Sequence, residues 1–386
     1  MLAVAAGAMT ISVLWAGPTQ AETVSVASEA EYRAALTTLS ADATGPHTVE
    51  ITADFTITGG TDPSYTGDQN LTIVGNGHTI SGGDARRILF VSDSVVLEIR
   101  DLTLRDGFTT EDGGALGSAT GPGGSARFVF VDTAFVDNHA DGDGGAVSSP
   151  LSLNDITHST FTGNSAGGSG GALAMGTGGV GGVLGHDLTF TGNTAAVGGG
   201  AIRGGSYLAY STLADNRAPA GANVSIPGTI PTPQLVTHGT VIANPLGGGE
   251  NCALDEFGSQ TQYSYSTDTS CEMTGTGDTE GAADPQLEPL GDNGGPTPTR
   301  LPARTGPLVD AIPDTDCPLP EELEFLLPPS TPLDDQRHVL RPQDGDGDGT
   351  AACDIGAVEL EPPAEPAPPP AGPDGGPVAA DPAFTG

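Results

Sequence analysis

The sequence of 386 residues contains no lysine, and its twelve basic residues are all arginines. It has 49 acidic residues, so the formal net charge at pH 7 is -37. A surface with so few cations neutralises few phosphates, which argues against nucleic acid and anionic membranes as partners. Divalent cations and neutral glycans are compatible with this charge.

Aromatic residues are also scarce, at 5% of the chain, whereas glycine (59 residues) and proline (32 residues) are abundant. The apolar fraction of 36% is still sufficient for a continuous core of small side chains. At this length the chain forms either two or three ordinary domains or one repetitive domain with appendages. The composition favours the repetitive domain, built from short strands and tight turns.

The first segment, 1–21, is apolar and ends in the small-x-small site Thr19-Gln20-Ala21. It lacks the usual basic n-region, but it still reads as a signal peptide that is cleaved near Ala21. Glycine, proline and glutamine interrupt it too early for a membrane span, so no membrane span is expected. We therefore expect an exported protein, either secreted or held at the cell surface.

No cysteine occurs in the first half of the chain, and four occur in the second half: Cys252, Cys271, Cys317 and Cys353. In an exported protein an even number predicts disulfides, here with three possible connectivities. We favour Cys252 with Cys271 and Cys317 with Cys353, because each pair would close a local loop. A zinc site is the alternative, but no close cysteine pair or nearby histidine spacing supports it.

A repeated phrase gives the fold class. An apolar anchor is followed after three residues by asparagine or glycine and after nine by Gly-Gly-Ala-aliphatic, most clearly from Phe135, Phe161 and Phe190 and more weakly from Leu104. A decayed copy begins at Leu213, and successive anchors lie 23 to 31 residues apart, the length of one solenoid coil. Short alternating apolar runs precede the anchors, as in strands. We predict an all-β protein, a right-handed parallel β-helix of roughly eight coils over residues 47–250.

Within this fold the repeat has a structural explanation. The anchors Phe135, Phe161 and Phe190 would point inward and stack at about 4.8 Å, the spacing of neighbouring strands. Asparagine tolerates a left-handed backbone, and stacked amides bond to each other as a ladder. The Gly-Gly pair would form a second corner, where a Cβ would crowd the next coil. The predicted ladder residues are Asn138, Asn164, Asn193 and Asn216.

The segments on either side of the repeat differ from it in residue pattern and composition. Segment 22–46 contains a helical pattern that begins with a capping box, Ser28 with Glu31, and this helix would cover the open end of the solenoid. Segment 251–360 forms either a distal cap or a small independent module, and we favour an irregular C-terminal cap. Segment 361–386 is a Pro-rich, disordered or extended tail.

Two family resemblances accompany these motifs. The paired FxxN and GGA-aliphatic tetrapeptides over residues 100–225 resemble the repeats of chlamydial-type polymorphic outer membrane proteins, which are surface β-helix passengers. Four blocks, 284–302, 306–312, 335–343 and 353–360, resemble the C-terminal signature of bacterial choice-of-anchor Q proteins. That resemblance implies an exported right-handed β-helix at the cell surface and carries no settled activity, and no hydrophobic tail follows the blocks here.

An acidic loop is the clearest candidate for a ligand site. Asp344, Asp346 and Asp348 stand at alternate positions of a glycine-rich turn, where carboxylates can converge on one Ca²⁺. An EF-hand would need Glu at the twelfth position, which is Ile355, so the loop is of another type in which Asp354 supplies a further ligand. The sequence predicts a structural calcium site here, with a solvated acidic turn as the alternative.

The sequence favours a binding, adhesive or structural role towards glycans or other surface components, and we expect a monomer. The alternative is a polysaccharide lyase or glycoside hydrolase that acts on the lateral face of the β-helix. Carboxylates converging in a trio, or an arginine beside paired aspartates on adjacent coils, would favour the enzyme. A flat face of threonine, serine and glycine would favour the binder. No catalytic residue is predicted, because the seven histidines are scattered and no enzyme signature matches.

Overall fold

We analysed a computed structural model of the chain. It describes residues 22–92, 95–119, 126–176, 181–228, 235–254, 258–320, 323 and 333–364. The predicted signal peptide and the predicted tail from residue 365 onward lie outside these residues.

The described chain is a parallel β-solenoid of about nine turns. Each full coil runs through four short sides, which we name the first to fourth faces in chain order. A sharp corner separates the first face from the second, and three long strands continue through it. The segments whose length varies from coil to coil connect the fourth face to the first face of the next coil. The distance along the chain from one anchor to the next therefore varies, whereas the distance from an anchor to its Gly-Gly pair is constant.

The first and second faces share one sheet. Its strands are Glu22–Val26, His47–Ile51, Phe55–Thr56, Leu71–Ser81, Val96–Arg105, Arg127–Val136, Leu153–Thr157, Thr160–Thr162, Gly182–His186, Thr189–Thr191, Gly205–Ala209, Thr212–Ala214, Leu235–His238, Val241–Ala243, Ser259–Gln262 and Tyr265–Ser266.

The third and fourth faces are shorter. The third has Phe108–Thr109, His139–Ala140, Ser165–Ala166 and Thr194–Ala195, and the fourth has Ser64–Tyr65, Leu89–Val91, Leu116–Ser118, Val147–Ser149, Leu173–Met175, Ile202–Arg203, Val224–Ser225 and Cys252–Ala253.

The predicted phenylalanine stack is confirmed. Phe135, Phe161 and Phe190 are in register on adjacent coils and fully buried. The ring centroids of each neighbouring pair are 4.7 Å apart, with the ring planes within 5° of parallel. This stack forms part of the apolar core that runs along the solenoid axis.

The asparagine ladder is also present, and each amide in it is fully buried. Asn164 Nδ2 donates to Asn193 Oδ1 at 2.9 Å and to the carbonyl oxygen of Phe135 at 3.0 Å. Asn164 Oδ1 accepts from the side-chain and backbone nitrogens of Asn138 at 2.9 and 3.0 Å. The same pattern joins Asn193 to Asn216. Asn164 therefore satisfies one backbone carbonyl and one backbone N–H of the preceding coil, and its amide bonds to the amides of both neighbouring coils.

The corners themselves differ from the sequence expectation by one position. The left-handed residue is not the ladder asparagine but the residue before it: Asp137 (φ 53°), Gly163 (69°), Gly192 (69°) and Asp215 (61°). The left-handed residue reverses the chain and so turns the following asparagine inward. At the second corner Gly144 and Gly170 are left-handed, and a Cβ on Gly145 or Gly171 would lie 2.1 Å from a carbonyl oxygen of the next coil, as expected.

The N-terminal helix spans Glu29–Ser40. Ser28 Oγ accepts the N–H of Glu31 at 3.4 Å, and the Glu31 carboxylate accepts the N–H of Ala27 at 2.8 Å, a capping box in which the second bond is displaced by one residue. Its buried side joins the solenoid core, where the Tyr32 ring lies 5.6 Å from that of Phe55. The strand Glu22–Val26 before the helix already pairs with His47–Ile51, so the first rung begins within the expected capping segment.

At the other end, solenoid pairing continues to Ser266, beyond residue 250 where the glycine repeat stops. Strands can therefore pair in this part of the chain without the Gly-Gly corner.

The favoured disulfides are confirmed: Cys252 bonds to Cys271 and Cys317 to Cys353, so none of the four cysteines is left for a zinc site.

The C-terminal region lies along the side of the solenoid. We call residues 284–320 and 333–364 the clasp. Gln336 Nε2 donates to Thr160 Oγ1 at 2.7 Å, Gln336 Oε1 accepts from Thr189 Oγ1 at 2.6 Å, and Thr212 Oγ1 accepts the N–H of Ala357 at 3.0 Å. These threonines are the outward residues of the second face, and all three are buried. The clasp thus covers the outer side of these second-face strands, which are buried on both sides, and the irregular C-terminal cap stays a prediction.

We expect Asn164→Ala to lower the free energy of unfolding by about 3 kcal/mol, because it removes the hydrogen-bond partner of the buried N–H of Asn138 and of the buried carbonyl oxygen of Phe135. Urea denaturation followed by circular dichroism measures this loss. Thr162→Ala, at a half-buried position on the same coil, is the control and should cost less than about 1 kcal/mol. Equal losses in the two variants would contradict an energetic role for the ladder.

Candidate functional site

A network of buried charges joins the clasp to the solenoid. The Arg341 side chain is fully buried and lies 3.1 Å from Asp187 Oδ1 and 2.8 Å from Glu359 Oε2. Its guanidinium carbon lies 4.3 Å from the centre of the Tyr210 ring. Asp187 belongs to a solenoid corner, whereas Arg341 and Glu359 belong to the clasp. Removal of one partner would leave an uncompensated buried charge, so the network fixes the position of the clasp.

Asp354, predicted as a calcium ligand, is part of the interior of the clasp. Its two oxygens accept the N–H groups of Asp310 and Leu360, each at 2.7 Å. Burial and the nearby charge of Glu359 raise the pKa of Asp354 to about 7. This carboxyl group holds the clasp backbone together and lies outside the acidic cluster described next.

The acidic loop brings two of its predicted ligands together with a third residue that the spacing did not indicate. Single carboxylate oxygens of Asp310, Asp344 and Asp346 all lie within 4.8 Å of one another. Asp348 is not in this group, and its carboxylate accepts the N–H of Thr350 at 2.8 Å. Burial raises the pKa of Asp310, two backbone N–H groups oppose this, and the charges of Asp346 and Asp344 raise it further. The three carboxylates repel one another, and a bound cation would relieve that repulsion.

A second arrangement lies on the exposed corner of the early coils. Arg105 is half-exposed and lies 2.9 Å from Asp106 Oδ2, which also accepts from Ser81 Oγ at 3.1 Å. Burial and the charge of Asp106 raise the pKa of Asp137 on the next coil. An arginine thus stands beside paired carboxylates on adjacent coils. Arg105 and Asp106 border a depression of about 400 Å³, whose other lining residues are Asp54, Phe55, Thr56, Thr79 and Ser81.

The first face carries a row of partly exposed side chains. Outward side chains of successive coils stand in register there, forming the first-face stripe: Val129, Asp155, Leu184 and Tyr207. All four are half-buried, so the clasp does not cover them completely. The stripe combines aliphatic and aromatic surface with one carboxylate, a composition that the sequence did not single out because its members are one coil apart.

His238 is the most strongly perturbed histidine of the described residues. It is 1% exposed, its Nε2 lies 3.4 Å from the Tyr210 hydroxyl, and its Nδ1 has no hydrogen-bond partner in the described structure. The Tyr210 hydroxyl donates to the carbonyl oxygen of Cys317 in the clasp. Burial lowers the pKa of His238 to about 4. The folded protein therefore holds this imidazole neutral.

This pKa predicts acid sensitivity. Between about pH 6.5 and about pH 4 the unfolded state binds a proton at His238 and the folded state does not, so stability falls as the pH is lowered through this window. We expect the stability of the wild type relative to His238→Gln to fall by up to about 3 kcal/mol between pH 7 and pH 4.

Thermal and urea unfolding at several pH values test this expectation. Thr162→Ala, which changes a half-buried residue that does not titrate, should leave the pH profile parallel to that of the wild type. A His238→Gln profile that is also parallel would refute the buried neutral imidazole.

The comparisons with known proteins agree with the repeat. Residues 158–174 and 187–205 match the Chlamydia polymorphic membrane protein repeat. Each match contains one anchor, one ladder asparagine and one Gly-Gly corner, so the resemblance seen in the sequence is confirmed for these coils. No curated protein and no solved structure matches the chain.

These repeats are associated with β-helix proteins of the cell surface or outer membrane, and a surface location is consistent with the solenoid. Among the described residues, no helix is both long and apolar enough to cross a membrane.

Proposed function

We propose that the protein is exported to the cell surface and binds glycans through the first-face stripe. The observation that carries this proposal is the in-register row of half-buried Val129, Leu184 and Tyr207 beside a second face that the clasp already covers. Aliphatic and aromatic side chains pack against the apolar faces of sugar rings. The repeat match supports the surface location.

A glycan array tests this binding. We expect retention of a polysaccharide by the wild type and about tenfold weaker binding by Tyr207→Ala, since a lost aromatic contact costs about 1–1.5 kcal/mol. Val197→Ala removes exposed apolar surface away from the stripe and should bind as the wild type does. Equal binding by all three proteins would remove the stripe as the binding surface.

A polysaccharide lyase or hydrolase is the second candidate, and the arrangement of Arg105, Asp106 and Asp137 favours it. Each retained polysaccharide is therefore assayed for new reducing or unsaturated ends. New ends that disappear in Asp106→Asn would establish the enzyme at this corner, whereas retention without new ends supports the binder.

We also propose that the clasp corresponds to the choice-of-anchor Q signature. All four resembling blocks fall within it. They supply Gln336 and Arg341, which contact the second face and its corner, and Asp354 and Glu359, which hold the clasp backbone. This correspondence gives the signature a physical role, namely attachment of the C-terminal region to the side of a solenoid.

We further propose a structural Ca²⁺ at Asp310, Asp344 and Asp346, since carboxylate oxygens suit this cation. Calcium should raise the melting temperature of the wild type by about 3–6 °C relative to excess chelator. Asp346→Asn should abolish the shift, and Asp348→Asn, outside the cluster, should keep it. A melting temperature indifferent to calcium, or a shift that survives in Asp346→Asn, would contradict the site.

A further inference from the structure

Histidine and aspartate side chains from three coils meet the clasp at one corner of the solenoid. Asp132 (φ 53°), His158 (48°) and Asp187 (54°) occupy the corner between the first and second faces on successive coils, each in the left-handed conformation. Residues 334–338 of the clasp cross this corner and contribute Asp334 and His338. Aspartate and histidine are among the non-glycine residues that most often adopt this conformation.

The side chains converge closely. His338 Nε2 lies 3.1 Å from Asp132 Oδ1, and His338 Nδ1 lies 3.1 Å from Asp334 Oδ2. The rings of His158 and His338 have centroids 4.5 Å apart. One ligand atom from each of Asp132, His158 and His338 lies within 4.8 Å of the other two.

His158 provides an independent observation. This residue is only 8% exposed, and its Nε2 atom is buried without a hydrogen-bond partner in the described structure. Asp334 Oδ1 is 3.4 Å from this nitrogen, but the two are not aligned as a hydrogen bond. Buried nitrogens are almost always hydrogen-bonded, so a buried nitrogen whose nearest acceptor is not aligned with it can accept a further partner such as a metal ion.

We propose that Asp132, His158 and His338 bind a divalent transition-metal ion of the zinc type. Two imidazoles and a carboxylate form a ligand set for such ions, whereas Ca²⁺ takes oxygen ligands. Two ligand atoms on a tetrahedral zinc ion lie about 3.3 Å apart, close to the present separation of Asp132 and His338. Asp334 accepts from Nδ1 of His338 and so leaves Nε2 free for the metal, which makes Asp334 a positioning residue.

The metal would join two parts of the chain. Asp132 and His158 belong to the solenoid, whereas His338 comes from the clasp and is 45% exposed. The ion can therefore enter from solvent, and once bound it pins the clasp to two coils. This site is separate from both the acidic loop and the first-face stripe.

Titration calorimetry of the chelator-treated, dialysed full chain with Zn²⁺ tests the proposal, with excess Ca²⁺ present to occupy the acidic loop. We expect one equivalent to bind to the wild type, and at least about tenfold weaker binding to His338→Gln and to His158→Gln. Co²⁺ should give the visible absorption of a site with nitrogen and oxygen ligands, and Zn²⁺ should raise the melting temperature of the wild type but not of His338→Gln.

The matched control is His78→Gln, which breaks an exposed histidine pair with Asp54 elsewhere on the solenoid and should bind Zn²⁺ as the wild type does. His338 is half-exposed, so its variant is expected to fold, and circular dichroism verifies this. Absence of stoichiometric Zn²⁺ binding by the wild type, or equal binding by His338→Gln and the wild type, would overturn the site.

Discussion

The in-register stacking of each coil on the next is the constraint on which the rest of the structure depends. Parallel strands about 4.8 Å apart place equivalent residues in straight columns, so one residue type must suit the same position in many coils. The buried column of amides is the most demanding, because each asparagine must bond both to backbone groups of the preceding coil and to the amides of its neighbours. At the end of the column the bonding passes within one coil from Asn216 to Asn223, and from Asn223 to Asn251 on the next coil. Amide bonding thus still joins adjacent coils where the glycine repeat has decayed.

The same geometry explains which features could be predicted from the sequence. Phe161, Asn164 and Gly170 recur at constant offsets, and a constant offset is visible in a single sequence. The predicted left-handed position was wrong by one residue. The left-handed residue is aspartate at position 137 and glycine at position 163, so it does not recur as one residue type, whereas the asparagine after it does. The disulfides followed from loop closure, which depends only on order along the chain.

The clasp and its clusters could not be predicted in this way, because they depend on contacts between segments more than a hundred residues apart. Asp310 lies beside Asp344 and Asp346 only in the folded clasp. Asp354 points into the clasp, where its carboxylate accepts hydrogen bonds from the backbone N–H groups of Asp310 and Leu360. The histidines look scattered because His158 and His338 belong to different parts of the fold. One local signal of the covered face was present in the sequence. Thr160, Thr189 and Thr212 stand next to apolar anchors, and the second face carries no charged outward side chain in these coils.

A solenoid without lateral attachments is a one-dimensional object, in which each coil touches only its neighbours and an end coil can peel away alone. The clasp changes this, because it contacts Asp132, Asp187, Thr212 and Gly239, which belong to different coils. A pulling force along the rod would therefore meet several coils tied in parallel instead of one at a time. This lateral tie makes the C-terminal half a stiff element under tension and leaves the N-terminal coils as the more extensible part.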